Sequence, residues 1–135
     1  MHSMKVFLIS KVPAFDGTAS ASRFKCFARA INQSNCSAEI IMYRHYTLGE
    51  NKKTGYINDV PYRYIGIKSH LEYNTLLRGA LSVLNEFILN FFLLLKLKRG
   101  DVVFFFDEEP IWGNLLIYST HLRKAKFVEE ICEFP

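Results

Sequence analysis

Three consecutive carboxylates, Asp107, Glu108 and Glu109, followed by Pro110, sit directly behind the most apolar run of the chain, DVVFFF. Acceptor oxygens grouped where a buried strand ends can bind sugar hydroxyls, serve as a base or hold a metal. They equally make a solvated first helical turn in favourable contact with the helix dipole. A second acidic group, Glu129, Glu130 and Glu133, surrounds the last apolar run. Alternation there sends Glu129 to one face of a strand and Glu130 to the other. The third candidate is the loop over residues 11–20, where Gly17 lets backbone N–H groups approach an anion, Thr18 follows it, and a helix begins behind them. A plain strand-to-helix turn has the same composition, and the G-x-G-x-x-G dinucleotide fingerprint is missing.

Other chemistry finds little support. His2, His45, His70 and His121 have no metal-ligand spacing, and Cys26, Cys36 and Cys132 are odd in number with no C-x-x-C pair. Neither a disulfide framework, a metal site nor a cofactor is expected, and no nucleophile-base arrangement stands out. Tyr43, Tyr46, Tyr56, Tyr62 and Tyr64 interleave with Arg44 and Arg63. That pattern can stack on bases, but half-buried strands produce it as well, and no nucleic-acid partner is expected.

The elements that must position these groups are legible as an alternation. Residues 4–10 (MKVFLIS) form a short apolar run that opens into a turn-rich stretch, as a buried strand does. From residue 19 onward Ala21, Phe24, Phe27, Ala28 and Ile31 recur at helical spacing, with Asp16, Thr18 or Ser20 available as the cap. AEIIMY over residues 38–43 predicts a second strand, and YINDVPYRYIG one or two more ending near residue 67. A long helix is predicted over residues 74–97, with Leu77, Leu81, Leu84, Ile88, Phe91 and Leu95 repeating every three or four positions. Residues 101–106, 112–122 and 126–131 then read as strand, helix and strand. Such alternation predicts an α/β domain, a Rossmann-like three-layer sandwich around a mostly parallel sheet.

The long helix has three readings: a buried crossover, a helix lying on a membrane surface, or a span. Residues 79–95 approach the apolar length a span needs, but Glu86 near the centre would cost about 2.5 to 3.5 kcal/mol in a bilayer. The buried crossover is the leading expectation.

At 135 residues, with half of them apolar, the chain fits one folded domain. Its net charge of +4 comes from scattered Lys and Arg plus two clusters, Lys96, Lys98 and Arg99, and Arg123, Lys124 and Lys126. A mild basic excess favours anionic partners without choosing among them. The free cysteines and the short N-terminal apolar run indicate a cytoplasmic protein, at most peripheral to the inner face of a membrane.

Taken in order, these pieces resemble the N-terminal half of the retaining glycosyltransferases of the GT-B fold. MKVFLISKVPAFDGTASASRFKCFARAI looks like that family's opening strand, glycine loop and helix, with Gly17, Arg23 and Phe27-Ala28-Arg29-Ala30-Ile31 at the matching places. GDVVFFFDEEPIWGNLL is similar to its next strand with an acidic, proline-containing loop, and KFVEEICEFP to the strand that often ends in Glu-aromatic-Pro, here Glu133-Phe134-Pro135. The likeness runs over nearly the whole chain. It departs in carrying Asp16-Gly17 where many members have Gly-Gly, and in having no E-x7-E pair, a motif of the donor-binding half.

The resemblance implies an incomplete N-terminal domain over residues 1–135, without the C-terminal domain that binds the donor. Gly17 and Thr18 would approach the donor diphosphate across a cleft, while Asp107, Glu108, Glu109 and Glu130 would line the acceptor side. The implied partners are a nucleotide-sugar donor, held by the other domain, and a sugar or lipid-linked acceptor, with peripheral membrane contact. Alone, the chain is expected to be inactive, because retaining transfer needs the leaving diphosphate stabilised from the donor side. The competing classes are a standalone Rossmann-like binding module and a membrane-attached interaction protein.

Overall fold

A computed structural model describes residues 3–10, 19–43, 52–67, 74–106 and 113–130. The elements run β1 (Lys5–Ser10), α1 (Ala19–Gln33), β2 (Ser37–Met42), β3 (Thr54–Ile57), β4 (Val60–Tyr64), α2 (Thr75–Lys96), β5 (Val102–Phe106), α3 (Gly113–Leu122) and β6 (Lys126–Glu130). They build an α/β domain with one six-stranded sheet in the order β3-β4-β2-β1-β5-β6. All neighbours are parallel except the β3-β4 pair, which makes the fold Rossmann-like, as the alternation predicts.

Residues 53–67 resolve into a hairpin. Asn58 (φ 48°) and Asp59 (φ 66°) both occupy the left-handed region that a two-residue primed turn requires. Asn and Asp tolerate that conformation better than other non-glycine residues, so the turn is fixed locally and β3 folds back as the single antiparallel edge. Pro61, which cannot donate to a ladder, is accommodated beside this edge strand, opposite Tyr56.

Alternation along β1, β2 and β5 splits the core into two layers. Val6, Leu8, Ile40 and Met42 pack toward Phe24 and Ala28 of α1. Phe7, Ile9, Ile41, Val103 and Phe105 pack on the opposite side, with Leu89 and Leu93 of α2 and Leu116 of α3. Each fully buried side chain of this kind contributes about 1.5–3 kcal/mol, so the two layers hold the sheet between them. Helix α1 starts at Ala19, which places Ser20 inside the helix; Asp16 and Thr18 lie outside the described residues. Helix α2 is capped by Asn74, whose Oδ1 accepts from Leu77 N–H at 2.8 Å.

Helix α2 connects β4 to β5, as a crossover does, but it is buried along one face only. The buried residues are Asn85, Glu86, Leu89, Asn90 and Leu93. Most of the regular stripe that dominates the sequence is turned outward: Leu77, Leu84, Phe91 and Leu95 are exposed. The inward polar groups are satisfied locally. Asn85 accepts from Ile67 N–H at 2.7 Å and donates to Ile67 C=O at 3.1 Å, and Asn90 donates to Glu86 C=O and accepts from Ser119 Oγ. Burial of amides costs little when their hydrogen bonds are made, which is why this face can be internal.

Candidate functional site

The sheet order reverses at β1, which has β2 on one side and β5 on the other. In a doubly wound sheet this switch point opens a crevice outside the carboxyl ends of the two strands, because the connections leaving them pass to opposite faces. Residue Ile9 is in register with Phe105, so β1 and β5 end side by side at Ser10 and Phe106. Segment 11–18 therefore leaves the sheet from the strand next to the one that feeds segment 107–112. Adjacent strands lie about 4.8 Å apart, so the ends of β1 and β5 are close neighbours.

Gly17, Thr18, Asp107, Glu108 and Glu109 themselves lie outside the described residues. What is described is their anchorage. Gly17 and Thr18 immediately precede the first turn of α1, the positive end of a fifteen-residue helix dipole. Asp107 follows the last residue of β5, a strand whose Val103 and Phe105 are buried on the face toward α2 and α3. Ser10, at the end of β1, is itself buried, and its carbonyl accepts from Tyr43 N–H, so the ends of β1 and β2 are tied together.

Glu130 is the predicted site residue within the described part. It ends β6, in register with Phe106 of β5, and Glu129 is paired with Phe105 one residue earlier. The two carboxylates thus fall on opposite faces, as alternation predicts. Glu130 is mostly buried and forms an ion pair with Arg23 of α1, Nη2 to Oε1 at 2.6 Å. Its second oxygen, Oε2, is buried without a hydrogen-bond partner among the described residues. Arg23, noted in the sequence only as part of the family-like opening, is what orients this carboxylate.

Sequence reasoning missed two further polar centres. Asp101, 1% exposed, accepts from Lys5 N–H at 3.1 Å through Oδ1 and from Lys98 N–H at 2.9 Å through Oδ2. It stitches the starts of β1 and β5 to the end of α2, on the edge of the sheet away from the crevice. The one sequence signal for it was its place between Gly100 and an apolar strand. The other centre is Glu39 on β2, ion-paired with Lys5 and lying 3.4 Å from Arg63 Nε, whose guanidinium stacks 5.7 Å from the Phe92 ring. A shallow depression of about 350 Å³ adjoins it, lined in part by Tyr56, Tyr62 and Arg63. One carboxylate between two cations leaves the group with a net charge of +1, shared across three neighbouring strands.

Among the described residues no group of three His, Cys, Asp or Glu side chains converges as a metal site. Cys26 and Cys36 are free thiols. Comparison with protein-family models, with curated proteins and with solved structures gives no match to this chain.

Proposed function

We propose that this domain is the acceptor-side half of a retaining glycosyltransferase, holding a sugar or lipid-linked acceptor while a hexose is transferred from a nucleotide sugar bound by a second domain. The observation that carries the reading is the position of the switch point. Two segments leave neighbouring strands there, one with Gly17-Thr18 before a helix N-terminus and one with Asp107, Glu108 and Glu109 after a buried strand. The first suits a diphosphate, since backbone N–H groups and the helix dipole favour negative charge. The second suits hydroxyl groups, since carboxylates accept their hydrogen bonds and can draw a proton from the attacking oxygen.

In this reading Gly17 and Thr18 contact the donor diphosphate from across the cleft. Asp107, Glu108 and Glu109 orient the acceptor, and Glu130, held by Arg23, presents its remaining oxygen from the adjoining strand end. Transition-state stabilisation of the leaving diphosphate falls to the donor-binding domain, so the chain by itself does not turn over.

The test uses the protein encoded by the native locus read through Pro135. It is incubated with UDP-glucose, UDP-galactose and GDP-mannose and with membranes as acceptor, and release of UDP or GDP is followed. The expected result is acceptor-dependent release, lowered about tenfold or more by Glu109→Gln. A locus that encodes no E-x7-E region, together with no nucleotide release above the rate without protein, would sink the proposal.

A further inference from the structure

The two sides of α2 are inverted relative to a helix that faces water. Its buried side carries Asn85, Glu86 and Asn90 beside Leu89 and Leu93, whereas Leu76, Leu84, Phe87, Phe91 and Leu95 are exposed, Leu76 at 86% and Leu95 at 65%. At about 100° per residue these five side chains fall within an arc of about 100°, and at about 1.5 Å per residue they run for about 28 Å. The outward face carries no acidic side chain, because the helix's one carboxylate, Glu86, is 1% exposed. Exposed apolar area of this length and continuity marks an interaction surface.

The fold supplies the charge that identifies the occupant. The two basic clusters, far apart in sequence, meet at the C-terminal end of α2. Arg123 Nε donates to Leu97 C=O at 3.0 Å, and Gly100 N–H donates to Lys124 C=O at 3.2 Å. Lys96, Lys98, Arg99, Arg123 and Lys124 are all exposed there. Helix α3, joined to α2 through Ser119 and Asn90, adds exposed Tyr118 and Leu122.

We infer that this surface docks on an anionic lipid bilayer, with α2 lying in the interface. An apolar stripe inserts among the acyl chains while the adjoining cations meet the headgroups. Packing argues against a span: Leu89 and Leu93 belong to the sheet core, and the buried face carries Asn85, Glu86 and Asn90. A second copy of the chain answers the apolar stripe but offers the cationic end no exposed acid from its own α2. The inference is independent of the transferase reading, and its failure would leave that reading intact.

The test is co-sedimentation of the 135-residue chain with vesicles of phosphatidylcholine alone and of phosphatidylcholine with phosphatidylglycerol in a two-to-one ratio. Binding to the anionic vesicles is expected to fall about tenfold in Phe91→Ser/Leu95→Ser, through lost apolar burial, and about tenfold in Lys98→Ala/Arg99→Ala, through lost headgroup attraction. Added salt should weaken the wild type more than the charge variant. Both variants alter exposed side chains, and an unchanged thermal unfolding curve certifies that they fold. No vesicle binding, equal binding to both vesicle types, or binding indifferent to both variants overturns the inference. So does a concentration-dependent dimer that Phe91→Ser/Leu95→Ser dissociates without any vesicle binding, which would assign the face to a second copy.

Discussion

The two edges of the sheet are built differently. At the amino edge the connections are short, residues 34–36, 97–101 and 123–125, and their backbone groups are joined by hydrogen bonds across strands and helices. Asp101 takes two backbone N–H groups, Lys126 N–H donates to Asp101 C=O at 2.8 Å, and Arg123 covers a carbonyl at the end of α2. At the carboxyl edge the connections are longer, residues 11–18, 65–74 and 107–112, and they carry the carboxylates and the glycine loop. One edge spends its side chains on joining strands to helices. At the other, Glu130 keeps an oxygen without a hydrogen-bond partner among the described residues. In the proposed reading, chemistry falls to the ends of the strands opposite to these joints.

That division can be broken by substitution. Asp101→Ala removes the buried acceptor of two part-buried N–H groups from the amino edge, and a loss of about 3 kcal/mol is expected, read as a lower denaturation midpoint with an unchanged slope. Asn85→Ala, which strips both hydrogen bonds from Ile67, should cost about 2 kcal/mol in the same measurement. Asn74→Ala removes the cap of α2 and should cost about 1 kcal/mol. Arg23→Ala breaks an ion pair whose cation is more than half exposed, and a change under about 1 kcal/mol is expected. Smallest of all, Glu108→Gln and Glu109→Gln at the carboxyl edge should leave the midpoint within about 0.5 kcal/mol. A loss from either Gln variant as large as that from Asp101→Ala would erase the distinction between the edges.

Much of the fold was legible because its signals are local. Runs such as VFLI, EIIM and VVFFF can only be buried strands in an alternating chain, and the helices between them followed from spacing. The sheet order was not legible, since nothing within residues 5–10 or 102–106 records that β5 lies beside β1. The hairpin turn hid in Asn58-Asp59, a pair without the glycine that usually announces it. Asp101 was missed because its partner Lys5 is ninety-six residues away, a distance that periodicity cannot see. The outward turn of α2 was also invisible: its apolar stripe is the regular one, and only the hydrogen bonds of Asn85 and Asn90 explain why the amide face is internal. Of the candidate site, the residue types and their places behind strands were readable, whereas the pairing of Glu130 with Arg23 required the sheet to be assembled.

The most direct measurement is an amide-resolved NMR titration of the chain with methyl glucoside, methyl mannoside and methyl galactoside. The account predicts that at least one of them shifts resonances at the carboxyl edge, around Ser10, Tyr43 and Glu130, and leaves residues 98–101 and 123–125 unmoved. Shifts centred on the amino edge, or none with any of the three sugars, would contradict it.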